Sequence, residues 1–253
     1  MNKFHAKSKE EIEIMAECGS KLARVKKALF EKVGEGVSAW DIEELAVKLI
    51  KKEGAEASFK KVPGYSWATC VNVNAGLVHG IPKKEIIFKN GDIVSVDLGL
   101  YFKGFHTDCS FSKGLNVDSE VEGFLRVGRD ALKKAIEETK VGNRTYDISE
   151  AIEKTIKSAG FSPIKALTGH GVGRELHEDP QIPCFVPGEK EESMIIPEGA
   201  TYAIEVMYAL GSPDLVQEED GWTIATQDGK ISALFEETIA VVCGRPKVLT
   251  GFF

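Results

Sequence analysis

The stretch GDIVSVDLGLYFKGFHTDCSFS, residues 91–112, predicts a β-hairpin that carries two acids. Apolar and polar residues alternate with a period of two on both arms, which is typical of half-buried strands. With the turn centred on Phe102 and Lys103, Asp97 would lie directly across from Asp108 on the polar face. Because opposed like charges destabilise an antiparallel pair, this register predicts a positive charge between the two carboxylates. The alternative is an offset turn that leaves both acids in water.

Length and composition predict an ordinary globular protein with a sizeable core. The chain has 253 residues, of which 43% are apolar, enough for one large domain or two small ones. Its net charge of −7 and pI near 5.4 argue against a general nucleic-acid binder, because non-specific affinity for nucleic acids comes mainly from lysine and arginine. We therefore expect no specific nucleic acid as a partner.

Cysteine usage and the lack of long apolar segments favour the cytoplasm. The five cysteines are scattered and show no CxxC spacing, which fits reduced thiols better than disulfides, and we expect four of them to pack in the core. The N-terminal region has no apolar segment typical of a signal peptide. No stretch approaches the roughly 18 apolar residues of a membrane span, so neither secretion nor membrane insertion is indicated.

Helical periodicity occurs in two blocks, and each block precedes predicted strands. Helices are expected at about residues 8–32, 38–54, 118–142 and 145–160. Besides the hairpin, strands are expected at about residues 68–73, 201–210, 222–226 and 231–243. Because the second half repeats the order of the first, we predict one domain over residues 1–253, with duplicated halves at about 8–112 and 118–243 that share a sheet.

Two segments place histidines in settings that could carry chemistry. A glycine and a proline follow His79 closely, and such a turn could aim its ring, although a lone histidine is more often a surface or packed residue. In TGHGVGRELHEDP, residues 168–180, glycines flank His170, and His177 follows seven residues later. Glycine lets the backbone approach a ligand closely. The alternative for this segment is a glycine-rich surface turn.

Two glutamates lie within apolar stretches that predict central strands, Glu205 in TYAIEVMYAL and Glu236 in ISALFEETIAVV. Charged residues are almost never fully buried unless they are paired, so each glutamate suggests a nearby cation. Either could instead be a half-exposed edge residue. In the second stretch, the alternation does not distinguish Glu236 from Glu237.

Together these residues predict a dinuclear metal centre. Four carboxylates bring four negative charges, which two divalent cations would cancel, and a neutral imidazole adds a ligand without adding charge. Oxygen-rich ligation with one nitrogen suits Mn, Fe, Co or Zn, and two such ions can activate water and hold a reacting carbonyl. This chemistry favours hydrolysis. The candidate ligands are Asp97, Asp108, Glu205, Glu236 and one histidine.

The ordered motifs HGIP, DLG followed by HTD, GHGVGRELHEDP, AIEVM and SALFEET resemble those of the type I methionine aminopeptidases, which are M24 metallopeptidases. The match covers nearly the whole chain. The resemblance implies an α+β fold of the pita-bread type, in which pseudo-twofold halves of two helices plus antiparallel strands form a shared curved sheet. It also implies a site for two divalent metal ions (Co, Mn, Fe or Zn) and selects Glu236 over Glu237. The implied ligands are Asp97, Asp108, His170, Glu205 and Glu236.

The same resemblance implies roles for further residues. His79 would contact the scissile region and help proton transfer to the leaving group, and His177 would stabilise the tetrahedral intermediate. Glu205 would shuttle the proton of the attacking water as well as bind metal. In the substrate pocket, Leu176 stands where an aromatic ring is more usual. The implied substrate-binding residues are Tyr65, Cys70, His79, Leu176, His177 and Trp222.

The activity implied by the resemblance is removal of the N-terminal methionine from nascent proteins and peptides with a small second residue, by attack of a hydroxide that bridges two metal ions. The partner would be a peptide or nascent chain that begins with methionine, and transient ribosome contact is compatible with this activity. We expect a cytoplasmic monomer that does not bind membranes. Two alternatives stay open: an exopeptidase of the same fold that resembles Xaa-Pro dipeptidases, and a non-catalytic pita-bread binding protein.

Overall fold

The computed structural model describes residues 4–251. Its helices are α1 (Lys9–Lys32), α2 (Ala39–Lys52), α3 (Ser119–Glu138) and α4 (Thr145–Ser158). Its strands are β1 (Glu56–Ala57), β2 (Thr69–Val73), β3 (Gly76–Val78), β4 (Ile93–Phe102), β5 (Phe105–Gly114), β6 (Ser162–Pro163), β7 (Thr168–Gly171), β8 (Glu178–Pro183), β9 (Thr201–Ala209), β10 (Leu215–Gln217), β11 (Ile224–Thr226), β12 (Ser232–Val242) and β13 (Arg245–Val248). The two ends of the predicted domain, residues 1–3 and 252–253, lie outside the described residues.

Helices α1 and α2 begin with capping boxes and cover the first half of the sheet. The hydroxyl of Ser8 accepts a hydrogen bond from the N–H of Glu11, whose carboxylate accepts one from the N–H of Ser8. Ser38 and Asp41 form the same motif at the start of α2. The apolar faces of both helices pack against β2, β4 and β5 in one buried cluster. The other face of these strands is therefore left to carry polar side chains.

Helices α3 and α4 cover the second half in the same way. The carboxylate of Asp118 caps α3 by accepting from the N–H of Val121. The apolar faces of α3 and α4 pack against β9 and β12 in a second buried cluster. At Gly128, helix α3 approaches the sheet closely, next to Tyr208 of β9 and Phe235 of β12. Each half thus combines two helices with antiparallel strands, which confirms the predicted α+β class.

One sheet joins the two halves. Its central order is β1-β4-β5-β12-β9-β7-β8, with β2 paired to β4, β13 to β12 and β6 to β9. All of these pairs are antiparallel. The halves meet where Ser110 of β5 pairs with Glu236 of β12. A smaller sheet has the order β10-β11-β3.

The predicted hairpin forms, but its predicted register is wrong by two residues. Asp97 pairs with Ser110 and not with Asp108. The turn lies at Lys103 and Gly104, whose φ angles of 50° and 89° are the positive values that a two-residue hairpin turn favours. Because the shift is two residues, both acids stay on the same face. They are diagonal neighbours and not directly opposed, which weakens their repulsion.

The four helices, the long strands and β2 begin and end close to their predicted positions, but most of the short strands were not predicted. A segment of two to six residues is too short for a period to be read, and several of these segments contain glycine or proline. The strand expected at residues 222–226 covers only Ile224–Thr226. His170 lies on one of the unpredicted strands, β7, and His177 lies directly before another, β8. The unpredicted strands are β1, β3, β6, β7, β8, β10 and β13.

The cysteines are free, and four of the five are buried, which confirms the expectation from the sequence. The exposed one is Cys243. Among the helices of residues 4–251, none is both long enough and apolar enough to cross a bilayer.

The close approach of α3 to the sheet predicts different effects for two glycines of that helix. A Cβ at Gly128 would lie 2.5 Å from Oη of Tyr208 and 2.6 Å from Cδ2 of Phe235. Gly128→Ala should therefore lower the free energy of unfolding by about 1–3 kcal/mol. A Cβ at Gly123 would meet nothing within 4 Å, so Gly123→Ala should leave that free energy unchanged or raise it by up to about 1 kcal/mol. Urea unfolding measures both, and equal effects would contradict this packing.

Candidate metal centre

Five adjacent strands each contribute one side chain of a metal-binding type to the same face of the sheet. In sheet order, these residues are Asp97 (β4), Asp108 (β5), Glu236 (β12), Glu205 (β9) and His170 (β7). Glu236 lies directly opposite Glu205 and also pairs with Ser110, which in turn pairs with Asp97. Because side chains alternate between the faces of a strand, these registers place the five groups in one row across the sheet.

The register also distinguishes Glu236 from Glu237. Glu236 is 2% exposed and faces the row of acids. Glu237 points to the opposite face, where its Oε1 accepts a hydrogen bond from Nζ of Lys26 on α1 at 2.8 Å. Its Oε2 accepts from the hydroxyl of Thr250. Glu236 is therefore the glutamate of β12 that is available to a metal ion.

All eleven residues singled out from the sequence line one cavity of about 160 Å³. They are Tyr65, Cys70, His79, Asp97, Asp108, His170, Leu176, His177, Glu205, Trp222 and Glu236. Three apolar residues complete the lining, Phe59, Val62 and Val78. Phe59 and Val62 were not predicted because they lie between residues 54 and 68, where neither a helix nor a strand was expected. The available signal was the presence of two apolar side chains just before a proline.

The donor atoms lie close enough to share ions. Donor atoms of Asp108, His170 and Glu236 lie within 4.8 Å of one another. Donors on one ion, bonded at about 2.0–2.2 Å, are at most about 4.4 Å apart, so small side-chain movements would suffice. Nδ1 of His170 lies 2.8 Å from the carbonyl oxygen of Gly171, so Nδ1 carries the proton. Nε2 then presents its lone pair to the acids, 3.4 Å from Oε1 of Glu205.

Burial and mutual repulsion favour the protonated form of the four carboxyl groups when no cation is bound. Burial raises the pKa of Asp97 to about 7. Burial and the charges of Asp97 and Glu205 raise the pKa of Asp108 well above its usual value. The pKa values of Glu205 and Glu236 are raised well above the usual range, first by burial and then by neighbouring acids. Burial lowers the pKa of His170 to about 3, so its imidazole is neutral.

This donor set fits divalent metal ions. Oδ1 of Asp97 and Oε1 of Glu236 are buried and have no hydrogen-bond partner among residues 4–251. Buried polar atoms without partners are costly, which indicates that these oxygens serve a ligand. Several carboxylates with one imidazole match the ligands of Mn, Fe, Co and Zn. The row of acids is therefore a candidate site for divalent metal ions.

Two further histidines face the cavity from turns. His79 follows β3 and has a φ of 58°, a conformation that non-glycine residues rarely adopt and that clusters at functional sites. The ring of His177 packs against that of His170, with 4.5 Å between the ring centroids. Both residues are exposed at the edge of the cavity, and partial desolvation of their rings lowers the pKa of each. Both rings are therefore neutral near pH 7 and can donate or accept a proton.

The rest of the cavity wall is apolar. The rings of Tyr65 and Trp222 pack edge to face with their centroids 5.0 Å apart. Oη of Tyr65 donates a hydrogen bond to the carbonyl oxygen of Thr69 at 2.9 Å, which fixes the ring. Cys70 and Leu176 are buried in the same cluster. An apolar recess therefore lies beside the row of acids.

A larger groove of about 660 Å³ lies on the other face of the sheet, between α1 and α3. Apolar and basic side chains dominate its described lining, and no histidine is among them. The acidic residue that the sheet contributes to this groove is Glu237, which is paired with Lys26. The groove therefore lacks the donor set of the smaller cavity, which is the better candidate for catalysis.

Comparison with known proteins gives matches along nearly the whole chain. The model of Metallopeptidase family M24 matches residues 13–242. Methionine aminopeptidase from Clostridium perfringens is 38% identical over 246 residues, which cover 96% of this chain and 97% of that protein. Methionine aminopeptidase 1 from Bacillus subtilis is 38% identical over 236 residues, which cover 93% of this chain and 94% of that protein.

Solved structures share the fold. The crystal structure of methionine aminopeptidase from Thermotoga maritima superposes with a TM-score of 0.94 at 41% identity, over 99% of each chain. Prolidase from Pyrococcus furiosus superposes with a TM-score of 0.78 at 22% identity, over 97% of this chain and 65% of the prolidase. These matches confirm the pita-bread fold that the sequence predicts. Because the family model and the relatives span nearly all of the sequence, the chain belongs to metallopeptidase family M24.

Proposed function

We propose that this protein is a metal-dependent aminopeptidase that removes the N-terminal methionine from nascent chains and peptides with a small second residue. The observation that carries the proposal is the combination, in one cavity, of five metal-binding side chains with an apolar recess. The methionine aminopeptidases that match nearly all of the chain support the choice of substrate.

Two divalent ions of Co, Mn, Fe or Zn would be held by the row of acids and its histidine. Four carboxylates carry four negative charges, which two such ions cancel, and the neutral imidazole adds none. When bound, the ions supply Lewis-acid polarisation of the scissile carbonyl and acidify water. The ligands in this proposal are Asp97, Asp108, His170, Glu205 and Glu236.

Three residues of the cavity would handle protons and developing charge. The carboxylate of Glu205, which lies in the cavity and would be ionised once cations offset the charge of the row, would accept the proton of the attacking water. The N–H of the neutral His177 ring would donate a hydrogen bond to the oxyanion of the tetrahedral intermediate. His79 would contact the scissile amide and help transfer a proton to the departing nitrogen.

The apolar recess would bind the methionine side chain. A thioether packs well against aromatic rings and sulfur, which Tyr65, Trp222 and Cys70 offer. Leu176 is buried in the same cluster and supplies an aliphatic surface to the substrate side chain. Phe59 and Val62 extend this wall.

The other proposed properties follow from this activity. The substrate is a peptide or nascent chain that begins with methionine, and a transient contact with the ribosome would bring the enzyme to it. The protein would act in the cytoplasm as a monomer. The solved prolidases, X-Pro aminopeptidase and Xaa-Pro dipeptidase are only 20–22% identical to this chain, which covers 61–65% of them. They therefore support the fold alone, and the methionine-specific proposal is preferred.

Loaded with Mn or Co, the protein should release free methionine from Met-Ala and Met-Gly peptides. Asp97→Asn removes a ligand charge and His79→Ala removes a proton donor, so each should lower kcat/KM by about 10²–10⁴-fold. Chromatographic assay of released methionine measures this. Glu218→Gln, a matched loss of charge on an exposed loop, should leave the rate unchanged.

The same assay separates the alternatives. Cleavage of X-Pro dipeptides without action on Met-Ala would replace the proposal with a dipeptidase. A folded, metal-loaded protein with no peptidase activity would indicate the binding protein.

The stability of the metal-free protein should fall as pH rises from about 7 to 9. The raised pKa values mean that the folded acids bind more protons than the unfolded ones, whose pKa values are about 4, so the slope of stability against pH is negative. Histidines with lowered pKa values change the stability only below about pH 6.5, so they do not affect its slope between pH 7 and 9. Calorimetric Tm values with a chelator measure the effect.

Two comparisons sharpen this test. Asp97→Asn lacks the carboxyl whose pKa lies near 7, so its metal-free Tm should depend less on pH in this window. Saturating Mn should raise the wild-type Tm most near pH 9, because metal ions compete with protons for these acids. A metal-free Tm that rises from pH 7 to 9 would contradict the assigned electrostatics.

A further inference from the structure

The segment before α1 contacts the turn that carries His177, far away in sequence. We call residues 172–177 the His177 turn. Nζ of Lys7 lies 2.6 Å from Oε2 of Glu178, the residue that follows His177, and the two side chains are 1% and 9% exposed. Nζ of Lys7 also donates to the carbonyl oxygen of His5 at 2.9 Å. A buried ion pair therefore joins the N-terminal segment to the end of the His177 turn.

The side chain of Lys7 packs against Gly173, where only a glycine leaves room for it. A Cβ at Gly173 would lie 2.2 Å from Cε of Lys7 and 2.6 Å from its Nζ, so a side chain at Gly173 would displace the ammonium. The backbone of Lys7 is fixed as well, because its N–H donates to the carbonyl oxygen of Gly199 at 2.8 Å. Oε1 of Glu178 accepts from the N–H of Glu175 within the turn at 3.2 Å.

The position of His177 depends on this turn. Within residues 4–251, the structure records no hydrogen bond to the imidazole of His177, whose recorded ring contact is with His170. The turn begins at Val172, which is held by backbone bonding to Thr201 and by the Thr201 hydroxyl. At its other end, the turn leads directly into Glu178, the first residue of β8.

We propose that Lys7 and Glu178 are positioning residues that hold His177 in its orientation toward the substrate. The inference rests on the proposed function, because it takes His177 to act on the substrate. Among the described residues, neither Lys7 nor Glu178 lines the cavity, so neither touches the substrate directly. Both act on His177 through the backbone of the turn. Their contribution is to fix where the imidazole N–H points when charge develops in the transition state.

The chain offers a matched control in the same turn. Arg174 pairs with Glu11 of α1, but the arginine side chain is 62% exposed, and its other recorded contact is with the ring of Phe105 and not with His177. Arg174→Met therefore removes a link between the same two parts of the chain without touching the buried pair. If only Lys7→Met impairs the enzyme, the effect comes from the buried pair and not from contacts between the turn and the N-terminal segment in general.

Lys7→Met should lower kcat on a Met-Ala peptide by about 10- to 100-fold with a smaller change in KM, because a displaced catalytic group loses transition-state contacts first. Arg174→Met should leave both constants unchanged. In a His177→Ala background, Lys7→Met should cause little further loss, because the group that it positions is gone. Lys7→Met/Glu178→Gln, which leaves no unpaired buried charge, should show the same pattern if the single variant folds poorly.

An independent readout is the imidazole NMR signal of His177 in zinc-loaded protein, assigned by its loss in His177→Ala. Lys7→Met should shift or broaden this signal, and Arg174→Met should not. An unshifted signal in Lys7→Met, or an equal loss of kcat in the wild-type and His177→Ala backgrounds, would overturn the inference. If the wild type does not cleave Met-Ala at all, the proposed function fails, while the NMR comparison still decides whether Lys7 positions His177.

Discussion

Electrostatic repulsion among four closely spaced carboxyl groups, two of them buried and two partly buried, is the constraint on which this structure depends. Glu205 and Glu236 lie directly opposite one another on adjacent strands, and Asp97 and Asp108 are diagonal neighbours on the next pair. Burial raises the pKa of each, since charging any of them in this setting is unfavourable. The two apolar clusters behind the sheet provide the stability that lets the chain hold such a group together. Divalent cations would then relieve the repulsion.

The fold separates stability from chemistry by using the two faces of one sheet. Helices pack on one face, and the acids and histidines occupy the other. Two buried ion pairs connect the N-terminal part of the chain to the sheet: Lys7 with Glu178 at the start of β8, which neighbours the site strand β7, and Lys26 with Glu237 on the site strand β12. Buried ion pairs add little stability relative to apolar packing. Their location beside His177 and Glu236 is better explained by a role in fixing geometry.

The sequence predicted those features that local patterns encode. The helices were predictable because all four show clear periodicity and two begin with serine capping boxes. Both hairpin acids were placed on one face because a two-residue register error preserves the face. The register itself depends on a positive φ at Lys103, which no pattern specified. Phe59 lines the cavity only through tertiary packing of an irregular segment. Lys7 and its partner are separated by 171 residues, so no local signal could connect them.

Anomalous diffraction from crystals of the protein loaded with manganese would show whether the row of acids holds two metal ions. We expect two strong peaks in the cavity, roughly 3.5–4 Å apart, each within bonding distance of carboxylate oxygens from both halves of the sheet. One of them should also lie next to Nε2 of His170. Manganese peaks elsewhere, with none among Asp97, Asp108, Glu205 and Glu236, would contradict the account.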